Sequence, residues 1–231
     1  TAYDKFFKEH KGFPKFKFKR DKQSALFTKT AISKKNTFDT RKITLTKNLK
    51  NIKFRCSDLY HKRLQKYKDN IRSVTLSKTK SGCYILSVLV EMNDNEFVKF
   101  NKTSRDVGID LGVKDFVITS DGDVFENKRF YKKEEKRIAK LQRQLSKKRK
   151  GSSSYSKQCK RIAKVFEVMS NKKENYIHSV VNYLLRHYDT VYMEDLNTSG
   201  MLKNHKLAKA IQEVGFYKFK PTLQNKALQN D

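Results

Sequence analysis

Two short segments constrain this chain more than anything else in it: Val107-Gly-Ile-Asp-Leu-Gly-Val-Lys-Asp-Phe116 and Thr190-Val-Tyr-Met-Glu-Asp-Leu196. Each contains a β-branched or aliphatic run that ends at a carboxylate. Such a run reads as a buried strand. A strand that delivers an acid to its C-terminal end is how α/β folds hold ligand-binding groups rigidly at one edge of a sheet. Two such strands side by side would put Asp110 and Glu194 within reach of one divalent cation.

The chain around these acids is strongly basic. Its 231 residues carry 53 Lys+Arg against 24 Asp+Glu, a formal net charge of +29, with a pI near 10.0. Hydrophobic residues make up 37% and aromatics 12%, enough for packed cores, so the charge does not signal a disordered composition. Phosphate is the expected counterpart, because Lys and Arg that displace condensed counterions supply sequence-independent affinity for nucleic acid. An anionic membrane could use the same charge. No apolar run approaches the ~18 residues a spanning helix needs, however, and no secretory h-region is visible. Cys56, Cys83 and Cys159 are odd in number and far apart, which points to a reducing compartment rather than a disulfide framework. No CxxC occurs in the sequence. The first residue is Thr1 and the pattern runs on to Asp231 without an evident stop, so the chain reads as a piece of a longer protein.

The organisation is α+β, with a change of pattern near residue 104. Residues 1–103 read as β-rich after a short helix over Thr1–Lys11 that Gly12 and Pro14 break. Lys15–Lys19 alternates Lys and Phe with period 2, the mark of a strand with one basic and one aromatic face. Ala25–Ala31, Arg41–Leu45, Ile52–Phe54, Ser73–Lys78 and Tyr84–Met92 are further strands, with a turn at Gly82 and a short helix over Ser57–Tyr67. Several short strands with polar turns predict a small barrel or sandwich. In residues 104–231, strands 107–111, 115–119 and 124–130 form a meander with a turn at Asp121–Asp123. A helix follows with Ile138, Leu141 and Leu145 at i, i+3 and i+7. Gly151–Ser154 interrupts it, with Ser154 or Ser156 as the next N-cap. A longer helix carries Ile162, Val165, Phe166 and Met169, then Ile177, Val180, Val181, Leu184 and Leu185. Strand 190–194 and a helix over Leu207–Val214 follow. Three strands, a helical connection and a fourth strand bearing an acid is the order of an RNase H-like core.

Four separated stretches, Gly12–Lys17, Gly108–Phe116, Tyr192–Asn197 and Gly200–Ile211, closely resemble in the same order the TnpB proteins of bacterial insertion sequences, transposon-encoded relatives of type V CRISPR effectors. The resemblance implies an RNA-guided DNA endonuclease. Its oligonucleotide-binding-like, wedge β-barrel would occupy 1–103, and its RuvC-type, RNase H-like nuclease domain 104–231. It implies a guide RNA and a target double-stranded DNA as partners, and a place in the bacterial cytoplasm at the nucleoid. The family pattern also includes an N-terminal helical recognition region, a third catalytic Asp and a C-terminal zinc ribbon of paired CxxC motifs. None of these is complete in this sequence, so zinc is expected only in a ribbon outside it. A C-terminal segment, or a second copy of the chain, would complete the nuclease domain.

RuvC-type phosphodiester hydrolysis uses two divalent ions to activate water and stabilise the leaving oxygen. Mg²⁺, or Mn²⁺ in its place, takes oxygen ligands and keeps several waters, so a few carboxylates suffice. By resemblance, Asp110 would bridge both ions and Glu194 would hold one. Either acid alone would read equally as a strand end or a salt-bridge partner; the pairing within matched motifs is what points to metal. Asp106, Asp115, Asp121 and Asp123 fall at strand edges and turns, where Asp commonly makes local hydrogen bonds. Asp195 should face away from Glu194 in a strand.

Lys15, Lys17, Lys19 and Arg20 share a strand and turn with Phe13, Phe16 and Phe18. Aromatics that pack and cations that meet phosphate suit a surface tracking an RNA backbone. Lys147, Lys148, Arg149 and Lys150 close a helix, where cations complement the C-terminal dipole, but the run from Tyr131 to Lys164 carries more charge than capping requires. Lys203, His205 and Lys206 follow the second acid, where a loop could reach substrate. The expected activity is metal-dependent DNA cleavage directed by guide RNA, with residues 1–231 alone inactive. The alternative is a TnpB descendant that keeps guided DNA binding and does not cut.

Overall fold

In the first part of the chain five of the expected strands form, and they pair into two small sheets. The computed structural model describes residues 2–10, 12–15, 18, 23–32, 38–92, 100–196, 198–201, 203 and 205–228. Its contacts divide the chain into two units, Thr1–Met92 and Asn93–Asp231.

Unit one opens with α1 (Ala2–Glu9), followed by β1 (Gln23–Thr28), β2 (Lys42–Ile43), β3 (Ile52–Lys53), α2 (Asp58–Lys66), β4 (Ile71–Lys78) and β5 (Tyr84–Val90). β4 lies between β1 and β5 and is antiparallel to both, while β2 and β3 pair only with each other. Gly82, at φ +93°, makes the turn between β4 and β5. Ser57 caps α2, its Oγ accepting from the Tyr60 amide at 3.4 Å. Ile32, Phe38, Ile43, Leu45, Ile71 and Val74 form the buried core. Among the described residues no closed barrel forms. Closure requires every strand to pair on both edges, and the two-residue strands β2 and β3 join neither β1 nor β5. Lys15 and Phe18, from the alternating segment, are exposed and lie outside any strand; Lys17, Lys19 and Arg20 fall outside the described residues.

Unit two contains β6 (Asp106–Asp110), β7 (Asp115–Thr119), β8 (Val124–Glu126), α3 (Phe130–Ser146), α4 (Ser153–His187), β9 (Thr190–Met193), α5 (Thr198–Met201), α6 (His205–Val214) and α7 (Phe216–Ala227). The strands lie in the order β8-β7-β6-β9, with β7 antiparallel to its neighbours and β9 parallel to β6. On the covered face Val107, Ile109, Phe116 and Val117 pack against Ile177, Val180, Val181 and Leu184 of α4 and Phe216, Phe219 and Leu223 of α7. The α4 residues recur at i, i+3, i+4 and i+7, one stripe of a helix.

Three tyrosines fix the direction of α4 across the sheet. The Tyr188 hydroxyl donates to Asp121 Oδ2 and the Tyr183 hydroxyl to Asp123 Oδ2, both at 2.9 Å, while the Tyr176 hydroxyl donates to the Glu126 carbonyl at 2.7 Å. Asp121 and Asp123 form the turn after β7. Glu126 pairs with Asp115, at the opposite end of the sheet, where β6 finishes at Asp110. α4 therefore runs antiparallel to β6, and its N-terminal half continues past the end of the sheet that carries the acids. Burial, and then the bond to Asp121, push the Tyr188 hydroxyl up to about 12.

Helices α6 and α7 brace α4 where it leaves the sheet. Lys173 Nζ donates to the Gln212 carbonyl at 2.7 Å, and Lys218 pairs with Glu174. Gly215, between α6 and α7, holds φ +85°, and a Cβ there would collide with the Lys173 side chain. Burial first, then the neighbouring Lys218, lower the Lys173 ammonium to about 8, against an opposing pull from Glu213. The unfolded chain binds the proton more tightly than the folded one, so stability rises with pH between about 8 and the ordinary lysine value near 10.5. Denaturant midpoints measured from pH 7.5 to 9.5 should rise in the wild type relative to Lys173→Met, in which this contribution is absent. Parallel profiles for the two proteins would contradict the assignment.

Candidate nuclease site

The register that brings the acids together is set at the other end of their strands. Asp189 accepts from the Thr103 amide at 2.9 Å and the Ser104 amide at 2.7 Å, and its own amide donates to the Arg105 carbonyl at 2.8 Å. The bonds from Thr103 and Ser104 hold the Asp189 carboxyl below the usual range. This clasp joins the entry of β6 to the entry of β9. Asp106 then pairs with Thr190, Val107 with Val191, Gly108 with Tyr192 and Ile109 with Met193. One step further along both strands stand Asp110 and Glu194.

The pleat decides which way they face. Val107 and Ile109 are buried, so Gly108 and Asp110 belong to the opposite, open face. Asp110 and Glu194 are both exposed. They line one cleft of about 480 Å³ with Gly108, Ile118, Ser120 and Tyr192. Ser120 is tied to the floor, its amide donating to the Gly108 carbonyl at 2.8 Å and its Oγ accepting from the Gly108 amide at 3.2 Å. The turn after Asp110 needs glycine at residue 112, where a Cβ would stand 2.7 Å from the Asp115 carbonyl oxygen.

Among the described residues neither Asp110 nor Glu194 has a hydrogen-bond or ion-pair partner for its carboxylate. Of the neighbouring acids, Asp106 and Asp115 likewise show no carboxylate partner among the described residues, whereas three others are paired. Asp121 bonds Arg105 and Tyr188, Asp123 bonds Tyr183, and Asp195 pairs with Lys220 at 2.6 Å. Like charges side by side on adjacent strands oppose pairing. A chain with more than twice as many cations as anions nevertheless leaves these two acids on adjacent strands uncompensated among the described residues. A hard divalent cation would resolve that repulsion. Mg²⁺ is held by one or two carboxylates together with waters and substrate oxygens, and these two acids fit that donor set. No group of three or more His, Cys, Asp or Glu side chains able to hold a metal occurs among the described residues.

The basic candidates separate. Lys147, Arg149 and Lys150 are exposed and Lys148 is half-buried, all at the turn between α3 and α4. Lys203 is exposed after α5; α6 begins at His205, but the side chains of His205 and Lys206 fall outside the described residues. Two polar roles had no sequence signal. One is the Asp189 clasp. The other is Glu213, whose Oε1 accepts from the Tyr131 and Lys132 amides at 3.0 and 3.1 Å, capping α3 from a distant helix. Among the described residues no helix is long and apolar enough to cross a membrane.

Fold and site together define an α+β chain that presents paired strand-end acids within a strongly basic surface. Residues 87–205 match the OrfB_IS605 family, described as "Probable transposase", and the chain belongs to that family, the TnpB family. It is 29% identical over 227 residues to the "Putative RNA-guided DNA endonuclease" of Streptomyces pristinaespiralis, covering 98% of this chain and 54% of that protein. It is also 29% identical over 203 residues to the "Putative RNA-guided DNA endonuclease InsQ" of Escherichia coli (strain K12), covering 88% of this chain and 47% of that protein. The chain thus spans about half the length of the curated relatives it matches.

Proposed function

We propose that the chain is the wedge and RuvC-type nuclease portion of an RNA-guided DNA endonuclease. The nuclease domain, about residues 104–231, would have an RNase H-like core, and residues 1–103 would form the wedge that holds guide RNA. The observation that carries this reading is the uncompensated pair Asp110 and Glu194 at adjacent parallel strand ends in one open cleft. The family, and relatives named "Putative RNA-guided DNA endonuclease", support the same reading.

Asp110 and Glu194 would hold Mg²⁺ or Mn²⁺, which when bound supplies activation of water and charge stabilisation at the leaving oxygen. The chain's own contribution is placement. β6 lies inside the sheet and β9, at its edge, is hydrogen-bonded to β6 in parallel register, so both carboxylates are placed before substrate arrives, as preorganised catalysis requires. Gly108 presents no side chain between Ser120 and Tyr192, leaving the floor of the cleft open to a phosphodiester strand. Lys15, Lys17, Lys19, Arg20, Lys147, Lys148, Arg149, Lys150, Lys203, His205 and Lys206 would hold guide RNA and target DNA.

The test loads the protein with a guide RNA and presents matched and mismatched DNA duplexes in Mg²⁺. Guide-dependent cleavage of the matched duplex is the expected result for the longer protein. Guide-dependent binding without cleavage there would favour the non-cutting alternative. Binding that ignores the guide would overturn the reading.

A further inference from the structure

The distal part of the α3–α4 hairpin is a cationic arm that the described residues leave almost wholly unneutralised. Between Glu135 and Glu167 the sequence holds twelve Lys or Arg and no carboxylate. Among the described residues only Arg137 of these has an acidic partner, Glu134 at 3.3 Å. The arm has a small apolar core of its own, Ile138, Val165 and Met169 with Tyr131 and Leu141. Its base is braced where Lys209 reaches Glu135 at 2.5 Å and Glu213 caps α3. From Tyr176, level with the acid-bearing end of the sheet, α4 extends back to Ser153. At 1.5 Å per residue, Gln158 and Arg161 of α4 lie roughly 22 to 27 Å back from Tyr176, less than the ~34 Å of one nucleic-acid duplex turn.

Near the tip lies a cleft of about 400 Å³ lined by Gln144, Lys147, Lys148, Gln158 and Arg161. Its floor is built. Gln158 is 1% exposed, its Nε2 donating to the Leu141 carbonyl at 3.0 Å and to Gln144 Oε1 at 3.1 Å, and its Oε1 accepting from Arg161 Nη1 at 3.5 Å. Arg161 is thereby oriented with one donor engaged, and most of its guanidinium fork stays free. A planar fork held in place, beside two ammonium groups and with no carboxylate lining the cleft, matches the oxygens of a phosphodiester. A diffuse lysine surface would need no buried glutamine to orient an arginine.

We propose that this cleft is a phosphate seat that grips a nucleic-acid backbone within one helical turn of Asp110 and Glu194, so that the arm fixes where along the strand the acids act. The proposal rests on the nuclease reading for its partner, but binding alone tests it, with metal chelated so that cleavage plays no part.

The experiment compares wild type with two triple variants of the 231-residue chain. The first, Lys147→Ala/Lys148→Ala/Arg161→Ala, empties the cleft. The second, Lys140→Ala/Lys157→Ala/Lys160→Ala, removes the same formal charge from exposed positions on the same hairpin. Affinity is measured against salt for DNA duplex and RNA–DNA hybrid of about 20 base pairs, and helicity is checked by circular dichroism. The cleft variant should lose about ten- to a hundredfold in affinity for at least one of the two, and the slope of log K against log salt should flatten by about 2 to 3, as expected for three lost phosphate contacts. The control variant should lose several-fold less. Equal losses in both variants would reduce the seat to diffuse charge and overturn it, while the partner reading stood. A wild type that binds neither probe would overturn both.

Discussion

Replacing Asp110 by Ala, in a form of the protein that cuts guided DNA, should lower the cleavage rate at least about a thousandfold on the proposed function, in which metal-assisted charge stabilisation contributes several kcal/mol. Guide and target binding should stay within about threefold, because binding is carried by many phosphate contacts. Glu194→Ala should behave alike. The two carboxylates are exposed and make no hydrogen bond or ion pair among the described residues, so their removal leaves no broken partner and should not lower thermal stability. That separates a catalytic from a structural role. A salt-bridge acid such as Asp121, bonded to both Arg105 and Tyr188, should cost stability before it costs chemistry. Mn²⁺ binding followed by electron paramagnetic resonance gives a readout independent of cleavage, and each single variant should weaken it. An Asp110→Ala protein that cuts at the wild-type rate would remove this residue from the site.

The acids were legible in the sequence because each closes a strongly patterned strand. Alternation fixes the face, and a run such as Val107–Asp110 has one arrangement that buries Val107 and Ile109 and leaves Asp110 outside. What no local pattern could supply is the register between β6 and β9, which are separated by two strands and two helices. Asp189 sets it by binding the backbone of Thr103 and Ser104. A turn-flanking Asp carries no mark of its partner more than eighty residues away.

Element ends were less legible for similar reasons. Ser154 or Ser156 was the expected cap of α4, yet Ser152 caps it, accepting from the Tyr155 amide at 3.1 Å. Gly151 takes φ +84°, which turns the chain one residue before Ser152 and leaves that serine as the first extended position. The expected barrel depended on pairing between distant short strands, and two-residue strands such as β2 and β3 encode little register. α7 went unrecognised because Gly215 and Pro221 punctuate its sequence. The Thr222 hydroxyl donates to the Lys218 carbonyl at 2.7 Å beside Pro221. Phe216, Phe219 and Leu223, at i, i+3 and i+7, were the signal that could have found this helix.

That last helix yields the largest expected effect on stability. Phe219 has no solvent exposure and meets Phe116 edge-on, with ring centroids 5.3 Å apart. It fills the space between β7 and α4, beneath the sheet whose open face carries Asp110. Phe219→Ala removes the buried ring and leaves a cavity that close-packed neighbours fill only in part, a loss of about 3–5 kcal/mol. For a unit of this size that corresponds to a fall in Tm of about 10 °C or more. Gln224→Ala, at an exposed position on the same helix, should change stability by less than about 0.5 kcal/mol, so the contrast isolates packing from helix propensity. α7 also braces α4 through Lys218 and Glu174, and loosening it should free the base of the cationic arm. Hydrogen exchange should therefore quicken in α4 around Lys173 and Glu174 as well as in α7. A Phe219→Ala protein that melts within about 3 °C of wild type would mean that α7 does not pack on the sheet in solution, and with it would go the support drawn here beneath Asp110.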